Sequence, residues 1–404
     1  MKEISVYILL TALSVMQFIA FAGVREQAAV DKMVATPGLP QNMAVMITDL
    51  KTGETLCASG EKSPLIPASI MKAVTIASLT QEMDPAGSLE TKVYVDGDVK
   101  DGVLRGNLIV VAGGDPSLNA STAPESADII AEIISALRGR KIESIEGRLI
   151  LDESIFDGPS IPASWAKGDL MHSYGTGSHG LNYRNNASGK SSVSNPGLIF
   201  ERDLNRALAQ AGIRIEGNSG RQGERHLLMT HQSAPLSEIM RSCMMRSDNL
   251  YAESMLRLYA DATTGKGATT AGAEEEMKFW KKRGVNMAGV NIIDGSGLSR
   301  SNRVTAEMMT GVLRDMADDV DYVSYFPLAG QEGTLKRFLC ETPLDSYIAM
   351  KTGSMSGIQC YAGYKLDEDF APTHTVVVIV NDFRCDRSVV RNAVARMLLE
   401  VFED

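Results

Sequence analysis

What this sequence lacks narrows its function before any motif is read. It has no run of lysine and arginine, and its net charge is −10. That balance offers no electrostatic footprint for a nucleic acid, which is excluded as the main partner. Five cysteines (Cys57, Cys243, Cys340, Cys360, Cys385) show no Cys-x-x-Cys spacing, and five scattered histidines form no His-Glu-x-x-His. No metal site is read from such a pattern, and no cofactor is called for. An odd cysteine count leaves at least one thiol outside any intrachain pairing, and most of the five are expected to act as small buried hydrophobes.

Long apolar runs are scarce too. The one that stands out, Ile4 to Ala22, follows Lys2 and ends in Ala20-Phe21-Ala22, a small-x-small cleavage site before Gly23. Residues 1–22 therefore read as a cleaved export signal. The alternative is a retained anchor, because the run is nearly long enough to span a bilayer. No cysteine stands at the cleavage point, so a lipoprotein is not expected. The chain is expected in the periplasm or another extracytoplasmic part of the envelope, soluble or loosely attached to a membrane. Its oligomeric state is left open.

What remains is ordinary in composition and informative in order. With 404 residues, 44% hydrophobic and 22% charged, the chain can build two or more domains. Residues 43–60 read as two strands around a turn, with Gly53 supplying a left-handed position. Lys51-Thr52-Gly53 is then a hairpin tip, and Ser59-Gly-Glu-Lys62 a polar turn leading out of it. Residues 91–118 alternate like strands and end in Gly113-Gly114. A helix over about 126–140 and a strand over 147–156 follow; 157–198 reads as loop, and a helix is predicted from 201. Residues 234–260 read as a helix in two pieces. Ser117-Leu-Asn119 reads as a turn. Three apolar runs between 346 and 383, then an amphipathic helix over 386–402, predict an antiparallel sheet covered by helices. The N-terminal hairpin can complete that sheet, which makes the fold α+β and its main domain discontinuous. The expected division is 23–90 with 232–404, and an inserted α/β domain over 91–231.

Three short motifs stand in order on this frame: Ser69-Ile-Met-Lys72 after Pro67 at the start of an apolar helix, Ser247-Asp-Asn249 between two helices, and Lys351-Thr352-Gly353 on a strand. Each alone is weak. Together, each in its expected local setting, they mark penicillin-recognising serine enzymes. The chemistry needs these residue types. An alcohol is a poor nucleophile until a base takes its proton. Lys72 shares a helix face with Ser69, and desolvation can hold its amine neutral for that task. The bland alternative is a lysine that snorkels to solvent. Ser247 can relay a proton toward the leaving amine, and Asn249 can hold Lys72 and the substrate amide. The bland reading of that motif is a helix break with an Asn cap. Lys351 supplies positive charge for a carboxylate, Thr352 a hydroxyl for the same group, and Gly353 a bare backbone against which substrate can lie. The N–H groups of Ser69 and Ser354 are the expected oxyanion hole.

Beyond the motifs, the segments GNLIVVAGGDPSL, EGRLILDESIF, DGSGLSRSN, PLAGQEGTLKRF and MKTGSMSG complete a resemblance that covers most of the chain. The sequence resembles the low-molecular-mass class C penicillin-binding proteins, the D-alanyl-D-alanine carboxypeptidase/endopeptidase (penicillin-binding protein 4) type. The resemblance implies a penicillin-binding/β-lactamase-like transpeptidase domain. It also implies an acyl-enzyme on Ser69, peptidoglycan stem peptides as substrate and β-lactams as inhibitors. It further places Arg300 beside the donor peptide's side chain, with Ser356 and with Asp152 of the insertion. The family's insertion usually holds two sub-domains; here the stretch after Tyr183 is too short, and one is expected to be missing. Two other readings stand beside this one. A serine β-lactamase shares the motifs, but no Glu-x-x-x-Asn is found for a deacylating water, and the second motif begins with Ser where class C lactamases have Tyr. A non-catalytic peptidoglycan binder or penicillin sensor on the same fold is opposed by the full catalytic set.

Overall fold

The structure, a computed structural model, describes residues 23–402 except 122, 123, 125, 126 and 219–222. The expected signal or anchor, residues 1–22, lies outside the described residues. No helix among them is long and apolar enough to cross a membrane.

The chain divides into two compact units. The first comprises the described residues up to Val74 together with Trp280–Ile292 and those from Ser301 on; the second comprises Thr75–Phe279 and Ile293–Arg300. The boundary falls inside the Met71–Thr80 helix.

The first unit is built on a five-stranded antiparallel sheet, as the apolar runs predict. Its strands, in spatial order, are Ile348–Met355, Ile358–Leu366, Pro372–Asn381, Met43–Asp49 and Thr55–Ser59. The run Thr375 to Asn381 is buried at every residue. An uninterrupted apolar run of this kind fits a central strand covered on both faces. One face carries Val376, Val378 and Val380 into a core with Val390, Val394 and Leu398 of the Arg387–Phe402 helix, and with Val30 and Met33. On the sheet's neighbouring strand the Tyr364 hydroxyl donates to the Leu313 carbonyl of the Ala306–Asp315 helix at 2.7 Å. The Thr55–Ser59 strand ends in the polar turn expected at Gly60 to Lys62.

The second unit holds a four-stranded sheet of Arg225–Pro235, Ser88–Asp96, Asn107–Val111 and Leu149–Asp152, in that order. The Ile129–Gly139 and Pro196–Gln210 helices share its core through Ile133, Leu137, Phe200 and Leu204. Two local readings of the sequence need correction here. The helix predicted from 201 starts at Pro196, because the Asn195 side chain caps Leu198 N–H and proline is well suited to a first turn. Residues 225–235 form a long strand, paired from Arg225↔Asp96 to Pro235↔Ser88, where no strand is expected. Their half-exposed outer part breaks the apolar alternation that would reveal them. Between Phe156 and Asn195 the chain is turns and two-residue strands, close to the expected loop. Ser117 to Asn119 is a turn, with the Ser117 hydroxyl donating to Asp115 at 2.6 Å. No disulfide forms among the described residues; Cys57, Cys243 and Cys360 are buried, Cys385 is half-buried and Cys340 is exposed.

Candidate active site

Ser69 lies in a short 3-10 turn, Ala68–Ile70, that runs directly into the Met71–Thr80 helix. Pro67 leads into the turn with φ −77°. Ala68 follows at φ 46°, a left-handed conformation, with its side chain buried. That conformation costs an L-residue about 1 kcal/mol or more, and such strain persists where the surroundings over-determine the backbone. The Lys72 amine is 3.0 Å from the Ser69 hydroxyl oxygen, and Lys72 is 0% exposed. The two side chains are therefore in hydrogen-bond contact, and the snorkelling alternative is not what the burial shows. The Tyr322 hydroxyl donates to the Ala73 carbonyl at 2.9 Å, tying the same helix turn to the Val320–Ser324 helix.

Lys351, Thr352, Gly353 and Ser354 lie on the Ile348–Met355 strand, at the edge of the sheet. Lys351 is also 0% exposed, and its amine donates to the Thr352 carbonyl at 2.7 Å. The Thr352 hydroxyl donates to the Thr334 hydroxyl at 2.7 Å, and the Ser354 hydroxyl to Gln359 Oε1 at 2.8 Å. Gly353 is required for a reason the sequence does not show. A Cβ there would stand 2.6 Å from the Pro67 carbonyl oxygen and 3.0 Å from the Ser69 nitrogen. The space beside Gly353 is filled by the turn that carries Ser69. Ser69, Lys72 and Gly353 are thus brought together within the first unit. Ser356 lies just past the strand, which ends at Met355, and opens the turn to Ile358. The two-residue alternation that would align it with Ser354 therefore stops short of it.

In the second unit, Ser247-Asp248-Asn249 joins the Leu236–Arg246 and Asn249–Thr264 helices. Ser247 closes the first in a left-handed conformation, φ 59°. The cap of the second is Asp248, whose carboxylate accepts from Tyr251 N–H, and not an asparagine. Asn249 opens that helix, its amide donating to the Tyr174 carbonyl at 2.8 Å. Arg300 is exposed at the end of the loop 294–300. That loop is stiff. The Asp294 carboxylate accepts from Gly297 N–H at 2.9 Å, Ser299 N–H at 2.6 Å and the Trp165 indole at 2.7 Å. Glu253 accepts from Ser296 N–H at 2.8 Å, and the Thr75 hydroxyl donates to the Gly295 carbonyl at 3.0 Å. Asp-Gly-Ser-Gly is an Asx-turn signature, so the role of Asp294 could have been read; those of Trp165 and Glu253 carry no local signal. Asp152 ends its strand with its carboxylate accepting from Ser154 N–H at 3.2 Å; the Ser154 side chain, and then this N–H, hold its pKa below the usual carboxylate value.

A family model described as the D-Ala-D-Ala carboxypeptidase 3 (S13) family matches residues 26–190 and 182–400. The chain belongs to the S13 peptidase family. Membership makes it a serine-type D-Ala-D-Ala carboxypeptidase, a hydrolase. A carboxypeptidase DacB of Mycolicibacterium smegmatis is 30% identical over 349 residues, covering 80% of this chain and 72% of that one. Penicillin binding protein 4 of Haemophilus influenzae superposes with a TM-score of 0.79 at 21% identity, over 91% of this chain and 97% of that one. It has also been solved with a β-lactam bound. A predatory peptidoglycan endopeptidase of Bdellovibrio bacteriovorus shares the fold more loosely, with a TM-score of 0.56 at 16% identity over 89% and 91% of the two chains. The expected penicillin-binding fold is therefore the one this S13 member adopts.

Proposed function

We propose that the protein trims or cuts peptidoglycan stem peptides at D-alanyl bonds through an acyl-enzyme on Ser69, and that β-lactams acylate the same hydroxyl. The observation that carries this reading is the 3.0 Å approach of a fully buried Lys72 amine to the Ser69 hydroxyl. In this reading Lys72 is the base, its amine taking the serine proton as the hydroxyl attacks. The oxyanion then develops near the Ser69 N–H, with Ser354 N–H as second donor, and Lys351 supplies positive charge for the terminal carboxylate. Thr352 adds a hydroxyl for that group. Ser247 and Asn249 take their roles from their motif: Ser247 passes the proton to the departing D-alanine, and Asn249 holds the substrate amide. Arg300, Ser356 and Asp152 take their places near the stem peptide's third residue from the family resemblance alone.

Relatives named for carboxypeptidase action and a neighbour named for endopeptidase action support both activities as candidates. Export to the cell envelope, a domain division of 23–90 with 232–404 around an inserted 91–231, and loss of one sub-domain after Tyr183 belong to the same reading. The two stretches matched by the family model meet at 182–190, which supports the last point. Incubation with purified cross-linked and uncross-linked muropeptides, read by mass, tests the proposal. Loss of one D-alanine from pentapeptides shows carboxypeptidase action, and conversion of dimers to monomers shows endopeptidase action. Neither product from folded protein overturns it.

A further inference from the structure

The backbone just ahead of the nucleophile is held by a residue outside all three motifs. Asn381 ends the Pro372–Asn381 strand and is buried. Both ends of its carboxamide bond one residue: Oδ1 accepts from the Ile66 N–H at 2.8 Å, and Nδ2 donates to the Ile66 carbonyl at 3.0 Å. The Cys360 thiol approaches the same carbonyl at 3.6 Å. Leu65, the preceding residue, exchanges reciprocal backbone bonds with Val304 at 2.8 and 2.9 Å. The N–H and C=O groups of residues 65 and 66 are therefore all engaged. Only Pro67 and Ala68 separate this fixed pair from Ser69. Proline has one backbone torsion locked, and Ala68 is held in the left-handed region at φ 46°. A short, stiff connection transmits the placement of Ile66 to Ser69, while the Gly353 strand presses on the same turn from the Pro67 carbonyl to the Ser69 nitrogen.

We infer that Asn381 is a positioning residue for acylation: by fixing Ile66 at both backbone groups, it keeps the strained 67–69 turn wound so that the Ser69 hydroxyl stays beside the Lys72 amine. It does not touch the reacting atoms. An asparagine suits the task because one side chain must both accept from and donate to the backbone of the same residue, which neither an ionised aspartate nor leucine does. The inference rests on Ser69 being the nucleophile.

The test is pre-steady-state acylation of the full chain by a fluorescent penicillin, resolved into the non-covalent dissociation constant and the acylation rate constant, for wild type, Asn381→Asp and Asn381→Leu. In wild type the label is first mapped by peptide mass; a label elsewhere than Ser69 overturns the functional reading, and this inference with it. With the label on Ser69, Asn381→Asp keeps the acceptor for Ile66 N–H but sets a carboxylate oxygen against the Ile66 carbonyl. Its acylation rate constant is expected to fall about 10- to 100-fold, the scale of a lost buried hydrogen bond with its partner left unsatisfied. The dissociation constant stays within about twofold, since the substrate contacts are untouched. As pH falls, protonation of the introduced carboxylate restores a donor, so the ratio of variant to wild-type rate constants rises. Asn381→Leu shows the larger loss and no such recovery. Rate constants are read per labelled molecule, so partial unfolding lowers the amplitude and not the rate. Unchanged rate constants, parallel changes in rate and dissociation constants, or a pH-independent ratio for Asn381→Asp would show that Asn381 only stabilises the fold.

Discussion

Lys51-Thr52-Gly53 and Lys351-Thr352-Gly353 belong to the same sheet-bearing unit, and the same three letters do opposite work. The first copy turns the hairpin between the Met43–Asp49 and Thr55–Ser59 strands. There Lys51 is exposed, Gly53 sits at φ 75°, and the Thr52 N–H donates to Asp49 Oδ1 at 2.6 Å. The second copy lies on an edge strand, with its lysine fully buried and its glycine against the Pro67 carbonyl. Glycine is needed twice, once for a torsion that side chains disfavour and once for a space that a side chain would fill. A charged group acquires catalytic leverage from desolvation, and only the second lysine has it. The two Ser-x-x-Lys copies divide the same way: Ser59 to Lys62 leads out of the hairpin in a turn, whereas Ser69 and Lys72 meet at 3.0 Å.

The largest test of this contrast is the nucleophile. Ser69→Ala should abolish labelling by a fluorescent penicillin while circular dichroism shows an unchanged fold; Ser59→Ala should label at the wild-type rate. Retained labelling in Ser69→Ala would break the contrast at its centre. Next come the lysines. Removing the buried charge in Lys351→Ala should slow acylation about 10²- to 10³-fold, the scale of one lost electrostatic stabiliser. Lys51→Ala should stay within about 0.5 kcal/mol of wild type in stability, with unchanged acylation. Comparable losses in the two would show that burial does not separate them.

The glycines sharpen the comparison further. In Gly353→Ala the new methyl meets the Pro67 oxygen at 2.6 Å, so the strand or the nucleophile's turn must shift. Displacement of this kind should slow acylation by about 10- to 100-fold. Gly53→Ala forces a side chain into φ 75°, which should cost about 1–2 kcal/mol in thermal or urea unfolding and leave acylation alone. If Gly53→Ala slowed acylation as much, the hairpin tip would have a part in the chemistry. The smallest effect concerns an exposed cation that is nevertheless given a role. Arg300→Ala should weaken cleavage of diaminopimelate-containing peptides by about 1–3 kcal/mol, the scale of a charged hydrogen bond, and change penicillin acylation much less. The ratio of the two specificity constants measures this, and an unchanged ratio would make Arg300 a loop residue only.

Much of the fold was legible because its signals are local. The Thr375 to Asn381 run, the hairpin around Gly53 and the closing amphipathic helix each declare themselves within a dozen residues. The Arg225–Pro235 strand did not, because its pairing with Ser88–Asp96 supplies what its own alternation lacks. At the site, the three motifs were legible as residue types at fixed spacings. The end of the Lys351 strand just before Ser356 was not, because it is set by the turn to Ile358 and not by the alternation before it.

By itself the sequence determined which side chains could carry the chemistry: a serine three residues before a lysine at a helix start, a polar tripeptide between helices, and a strand with lysine, threonine and glycine. Those follow from covalent order and periodicity, which act over a few residues. Tertiary structure alone decided which lysine loses its water, and that Gly353 yields its space to the Ser69 turn. It alone decided that Asn381, more than three hundred residues along the chain, fastens Ile66. Burial and close approach are properties of packed surfaces brought together from distant parts of the chain, and no local pattern encodes them.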